Sequence, residues 1–229
     1  MAMIKRLVCL ANSHKHGARC IAGRELLVGK PGAWIRPVSD REGEEVSKRE
    51  RQYEDGGDPR VLDIIDVPLI EPKAKSHQPE NWLLNPNARW SKSGEFRRDN
   101  LDLLIDAPGS IWINGRHTRN GRNDYVTVDE ADKAGGSLKL IAVGGLRLHV
   151  YKPNGNFGNL RRRVQAEFSF NDEKYRLWVT DPLIENKYFA QPDGVHTLDS
   201  SYLTISLSEP WNDCCYKLVA AIISIGALP

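Results

Sequence analysis

Two clusters of residues in the 229-residue chain could do chemistry on a polyanion. The first is His14, Lys15, His16, Arg19 and Arg24, followed by Trp34 and Arg36. The second is Lys152, Asn154, Asn156 and Phe157, then Arg161, Arg162, Arg163, Arg176 and Trp178. Cations track a phosphate backbone, and aromatic rings give unpaired bases a surface on which to stack. Asn154 and Asn156 could bond base edges. Each cluster therefore reads as a nucleic-acid-binding set. Each also has a plainer alternative, with arginines on solvated strand faces and tryptophans in a core. Strand alternation puts Arg161 and Arg163 on one face and Arg162 on the other. It also puts Trp34 beside Arg36 and Trp178 beside Arg176, and such a pair suits a wet surface better than a sealed core.

Other combinations are weaker. Asp66 with Glu71 and Lys73 echoes the carboxylate–lysine set of metal-dependent nucleases, but Pro68 and Pro72 disturb the hairpin that set requires. His14-Lys15-His16 lacks a placed third metal ligand. Cys20 with His14 or His16 could form a thiol pair, although a strand cysteine is more often simply packed. No catalytic residue, metal or cofactor is assigned on these grounds. A metal-dependent enzyme acting on nucleic acid or nucleotides stays open as an alternative, and so does a scaffold that recruits an effector protein.

These residues need elements to hold them. Short apolar or β-branched runs at 4–11, 18–28, 33–38 and 61–70 read as strands, with 12–17 (NSHKHG) as a polar loop. Residues 40–58 read as a polar loop with at most a helical turn, and 72–95 as loop-like. Residues 96–105 suggest a short amphipathic helix, 110–114 a strand, and 114–123 (NGRHTRNGRN) a basic loop. Further strands fall at 125–128, 138–143, 146–151, 160–170, 175–180, 202–207 and 216–225. Many short strands between turn signals indicate an all-β barrel or sandwich. The Gly144-Gly145 pair suggests a boundary, giving domains 1–143 and 144–229.

The two halves share a layout, and their third strands both carry a tryptophan near an arginine. Charge follows the same division. The chain holds 32 Lys and Arg against 30 Asp and Glu, a net of +2. Residues 1–36 alone carry +6, residues 143–178 carry +4, and the remainder therefore carries −8. No apolar stretch approaches the ~20 residues of a membrane span, and no signal-peptide pattern opens the chain. A cytoplasmic protein without membrane contact is expected. Cys9, Cys20, Cys214 and Cys215 then read as thiols.

The string at 10–23 (LANSHKHGARCIAG), followed by 34–39 (WIRPVS), resembles the bacterial dual OB domain family. Weaker matches are 77–81 (HQPEN), 137–141 (SLKLI) and 216–223 (YKLVAAII). The resemblance implies two small OB-like barrels in tandem, mainly β, to which the residue pattern adds a short helix and long loops in the first half. It also implies nucleic-acid binding or nucleotide sensing, in the setting of a bacterial defence system. The charge concentrated in the two strand regions favours single-stranded DNA or RNA as the partner, and the resemblance supplies no catalytic residue.

Overall fold

The computed structural model describes residues 3–28, 30–153 and 161–225. The contacts group the chain into two compact units, Met1–Leu104 with Gly135–Ser137 and Ile105–Ala134 with Leu138–Pro229.

The first unit contains β1 (Met3–Lys15), β2 (Ala18–Leu27), β3 (Lys30–Val38), α1 (Lys48–Arg51), β4 (Asp63–Pro72), β5 (Asn81–Leu84) and β6 (Ser91–Glu95). The polar stretch 12–17, expected as a loop, is mostly strand. β1 and β2 stay paired to Lys15↔Ala18, and only His16 and Gly17 turn the chain. Both have positive φ, 45° and 85°, as a tight two-residue hairpin demands. The strands run in the order β1-β2-β3-β5-β4, and β4 returns to pair with β1, closing a ring. The β3–β5 ladder is parallel, through Arg36↔Asn81 to Val38↔Leu83; the other pairings are antiparallel. β6 adds to the β4 edge. The interior holds Leu7, Cys9, Ile21, Ile35, Ile65, Val67, Leu69 and Trp90. Gly23 sits where a Cβ would lie 2.1 Å from the Val8 carbonyl oxygen, so the two strands approach there only because the residue is glycine.

A buried polar network stands on the parallel ladder. Arg36 is 3% exposed and Glu80 7%. Their side chains lie 3.1 Å apart. Arg36 also donates to Ser137 Oγ at 2.7 Å and to Asn81 Oδ1 at 3.2 Å. The Ser137 hydroxyl donates to Glu80 in turn. This holds Gly135–Ser137 in the first unit although β8 begins at the next residue.

The second unit contains β7 (Tyr125–Thr127), α2 (Val128–Asp132), β8 (Leu138–Val143), β9 (Leu146–Tyr151), β10 (Arg163–Phe170), β11 (Glu173–Val179), α3 (Pro182–Phe189), β12 (Gly194–Leu198), β13 (Ser201–Leu207) and β14 (Cys214–Ser224). β9-β10-β11-β14-β13 repeats the circuit of the first unit. β11 and β14 are parallel at Trp178↔Leu218, and β12, just before β13, closes onto β9. Each ring also has a helix between its third and fourth strands, α1 or α3. Asp181 caps α3 by accepting from Leu183 N and Ile184 N, and Pro182 opens the helix. This Asp-Pro pair is a helix-start signal present in the sequence.

Several boundaries differ from expectation. β8, placed above with the first half, pairs with β13 of the second unit. Residues 105–134 also belong to that unit, because Ile111, Trp112 and Val126 pack into its core. Residues 110–114 form bends, not a strand. Residues 96–105 contain a 3₁₀ helix, Arg98–Leu103.

Lys217 on β14 is 1% exposed. Its ammonium donates to the Ile113 carbonyl at 2.8 Å and to Asn114 Oδ1 at 3.3 Å, which ties the 105–124 segment to the core. Burial lowers its pKa to about 8. An unfolded lysine keeps its proton to about pH 10.4, so between those values the unfolded chain binds more protons and stability rises with pH. The stability difference between wild type and Lys217→Met should therefore move toward wild type by about 1.4 kcal/mol per pH unit from pH 8 to 10, read by urea denaturation. In the first unit, Glu80→Ala should cost ~3–5 kcal/mol because it strands a buried guanidinium. Arg36→Met with Glu80→Met should cost markedly less in the same assay.

Candidate nucleic-acid interface

Strand alternation in the second unit divides β9, β10 and β11 into two faces. Leu148, Val150, Val164, Ala166, Tyr175 and Leu177 go to the core. The outer face carries Arg147, His149 and Tyr151 on β9, Arg163, Gln165 and Glu167 on β10, and Lys174, Arg176 and Trp178 on β11. The register sets Arg163 opposite Tyr151 and Gln165 opposite Trp178. The result is a pair of rings flanked by two guanidinium groups. The Arg163 guanidinium lies 5.0 Å from the Trp178 ring. Trp178 stacks on Tyr151 at 6.1 Å and 29°. The Arg176 guanidinium lies 5.7 Å from the Tyr151 ring. All four side chains are half-buried. Tyr151 donates to Gln165 Oε1 at 2.5 Å, which fixes its ring. Partial desolvation raises the Tyr151 pKa despite both arginines, so its hydroxyl stays a donor at neutral pH. On the same face, Glu167 is held by Arg147 at 2.9 Å and His149 at 2.9 Å. Burial, then Arg176, lowers the His149 pKa.

The basic loop at 114–123 docks beside this face. Arg122 and Arg176 exchange backbone hydrogen bonds of 3.1 and 3.0 Å. Gln165 Nε2 donates to the Asn120 carbonyl at 2.8 Å, and Asn123 donates to Lys174 O at 3.0 Å. Thr118 and Asp124 close the loop on itself. Arg119 and Arg122 are exposed. Between β13 and β14, Trp211 is 54% exposed, with its ring 6.0 Å from Tyr216. Tyr151, Arg119, Arg122 and Trp211 were not among the residues picked from sequence. Alternation along β9 could have found Tyr151, which shares a face with Arg147 and His149. Docking of the 114–123 loop onto β11 is a tertiary event without local signal.

The other candidates of the second cluster separate. Lys152 and Arg161 are exposed. Phe157, Asn154 and Asn156 lie outside the described residues. Arg162, expected with the others in the binding set, precedes β10 and is committed elsewhere. It donates to Phe189 O at 2.5 Å, Gln191 O at 2.7 Å and Asp193 at 2.7 Å. It thus secures the C-terminal end of α3, and a guanidinium used in this way is not aimed at a phosphate.

In the first unit the cluster disperses. Arg24 lies 5.0 Å from the half-buried Trp34 ring, a counterpart of the Arg163–Trp178 contact. Arg36, however, is sealed within the Glu80 network, which removes it from any solvent-side interface. Two further cations of the first basic region are also paired: Lys5 with Glu25 at 2.7 Å and Arg6 with Asp66 at 2.7 Å. His14, Lys15 and Arg19 lie on the β1–β2 hairpin, and His16 turns it. Arg19 Nη1 is 2.9 Å from His14 Nδ1. Partial desolvation, and then Arg19, lowers the His14 pKa.

The residues of the catalytic alternatives are spoken for. Asp66 takes two hydrogen bonds from Arg6 and one from Ser93, and the Arg6 bond heads the causes that lower its pKa. Lys73 binds Asp40 at 3.0 Å, and Glu71 is exposed on the far side of a bulge in β4. Cys20 pairs with Ser13 in the hairpin and forms no disulfide.

A family model described as a dual OB-containing domain matches residues 5–222. No curated protein matches the sequence. Two solved structures are similar at low identity. One, described as "Molecular basis for abrogation of activation of pro-inflammatory cytokines", is 11% identical with a TM-score of 0.31 over 94% of this chain and 90% of its own. The tetrameric p202 HIN2 is 8% identical with a TM-score of 0.28 over 95% and 87%.

Arg162→Ala should lower stability by roughly 1–3 kcal/mol, since it strips charged donors from two carbonyls. Arg161→Ala, at an exposed position, should leave the urea midpoint within about 0.5 kcal/mol of wild type.

Proposed function

The chain belongs to the dual OB-containing domain family, and on that premise we propose that it binds single-stranded nucleic acid through the outer face of β9–β11. OB barrels use the face of their second and third strands and the loops beside it. In the second barrel those strands are β10 and β11. The observation that carries the proposal is the Arg163–Trp178–Tyr151–Arg176 array on that face. A base can slide onto a ring or onto a guanidinium plane, and neither choice demands a particular base. Arg119, Arg122, Arg161 and Lys152 surround the array in sequence and fold with exposed charge for phosphates. Trp211, on the loop between the fourth and fifth strands, adds a further ring. Stacking requires unpaired bases, which favours single strands over duplex.

The first barrel contributes less. Its Arg24–Trp34 contact could receive one base, but Arg36, Lys5 and Arg6 are occupied by acids. The face of β9–β11 suits binding, because its carboxylate, Glu167, is neutralised by Arg147.

Fluorescence anisotropy with labelled single strands of about 12–30 nucleotides tests this. Trp178→Ala should cost ~1–3 kcal/mol of binding. Arg122→Ala should weaken binding and flatten the log–log salt dependence by about 0.7. Wild-type affinity and salt slope in both folded variants would refute the proposal.

A further inference from the structure

Gln165 on β10 is 0% exposed, yet it carries a polar amide on the outer side of the sheet. Both ends of that amide are bonded. Its Nε2 donates to the Asn120 carbonyl at 2.8 Å, and its Oε1 accepts from the Tyr151 hydroxyl at 2.5 Å. A backbone carbonyl can only accept, so Asn120 fixes which way the amide points. That orientation leaves Oε1 for Tyr151 and makes the tyrosine hydroxyl the donor. Tyr151 in turn stacks on Trp178. One buried side chain therefore joins an aromatic ring of β9 to the 114–123 loop.

The loop is held at two levels. Residues 122 and 123 are bound to β11 through its backbone: Arg122 exchanges hydrogen bonds with Arg176, and Asn123 donates to the Lys174 carbonyl. The tip, residues 118–121, is a turn closed by Gly121 N donating to the Thr118 carbonyl at 3.3 Å. A Cβ on Gly121 would collide with the Asp124 carboxylate, which also accepts from Thr118, so the turn is tightly packed. Among the described residues, the bond from Gln165 is the one that links this tip to the strand face. Arg119 lies inside the turn with its side chain exposed and, among the described residues, without an ion pair.

On the reading that this face binds single strands, we propose that Gln165 is a positioning residue. It holds the loop tip, and with it Arg119, at a fixed place beside the Tyr151 ring, so that one strand meets ring and cation together. Gln165 does not meet the nucleic acid itself, being fully covered. A cation already held in place loses less freedom on binding than one on a wandering tip. An apolar side chain at 165 leaves the Asn120 carbonyl and the Tyr151 hydroxyl without this partner, and nothing then ties the tip to the ring.

The test has two arms, both on the full chain. The first uses no nucleic acid. The Gly121 N–H shares a peptide unit with the Asn120 carbonyl, so its exchange with solvent, read by NMR, reports on the Gln165 bond. Gln165→Met, close in volume, should speed that exchange roughly 3–10-fold. It should leave Asp124, whose amide donates to the Arg116 carbonyl, unchanged. Tyr151→Phe, which keeps the ring and removes the hydroxyl, should act in the same direction on Gly121. Unchanged exchange in both variants would overturn the proposal. The second arm is a double-mutant cycle on the salt dependence of binding to a labelled oligothymidylate of about 20 nucleotides. Arg119→Ala should flatten the log–log slope by about 0.7 in the wild type and by less than half of that in Gln165→Met. Arg122→Ala should keep its full effect in both backgrounds, because backbone bonds hold that residue, whereas a general loss of structure would erase both effects. Equal effects of Arg119→Ala in the two backgrounds would overturn this proposal alone. No salt-sensitive binding by the wild type would overturn it together with the function proposed above.

Discussion

Each barrel closes through a short parallel ladder between its third and fifth strands, and the remaining structure is arranged around that junction. In the first barrel the ladder is Arg36↔Asn81 to Val38↔Leu83; in the second it is Trp178↔Leu218 and Val179↔Val219. So few paired residues cannot hold a ring alone, and side chains reinforce the closure. Asp181 accepts from Ile222 N on β14 while capping α3. The Arg36–Glu80–Ser137 network does the equivalent in the first barrel. A buried ion pair is a costly way to reinforce a sheet. It persists here with Asn81 and Ser137 bonded to the Arg36 guanidinium and Ser137 also donating to Glu80.

The same junction gives the two barrels different surfaces. Arg36 and Trp178 both lie on third strands beside the parallel pairing. Arg36 is buried under Glu80 and the 135–137 segment, whereas Trp178 remains half-exposed on the outer face between Arg163 and Tyr151. One barrel therefore uses this position for integrity, and the other has it open to solvent. The distribution of acids agrees. Glu25, Asp66 and Glu80 take up cations of the first basic region. In the second, Arg163 and Arg176 rest on aromatic rings. A ring perturbs the hydration of a guanidinium far less than a carboxylate cancels its charge. The +6 of the first region consequently overstates its available field, and the smaller +4 of the second is more usable.

Much of this was legible from residue order. Strand runs at 4–11, 33–38, 146–151 and 175–180 each correspond to an observed strand, because period-two alternation is a local property. The third strands each carry a tryptophan, but Trp178 occupies the place of Arg36, at the start of the parallel ladder, and Trp34 lies two residues earlier. The hairpin at 12–17 was misread because polar residues suggest a loop, while the pairing of β1 with β2 carries those residues along regardless of polarity. β5 and β6 lay within a stretch that looked like loop, since strands of four or five residues gain their stability from partners more than from composition.

The sequence by itself determined that the chain is β-rich, that it is built as two similar halves, and that basic residues cluster with aromatics in both. Those are properties of local pattern and composition. Only the tertiary structure decided which cations are spent, which rings are covered, and where the 105–134 segment belongs. The physical reason is that an ion pair such as Arg36–Glu80, or the docking of Arg122 against Arg176, joins residues 44 or 54 positions apart. No local pattern encodes such a meeting; it follows from the closure of the barrel.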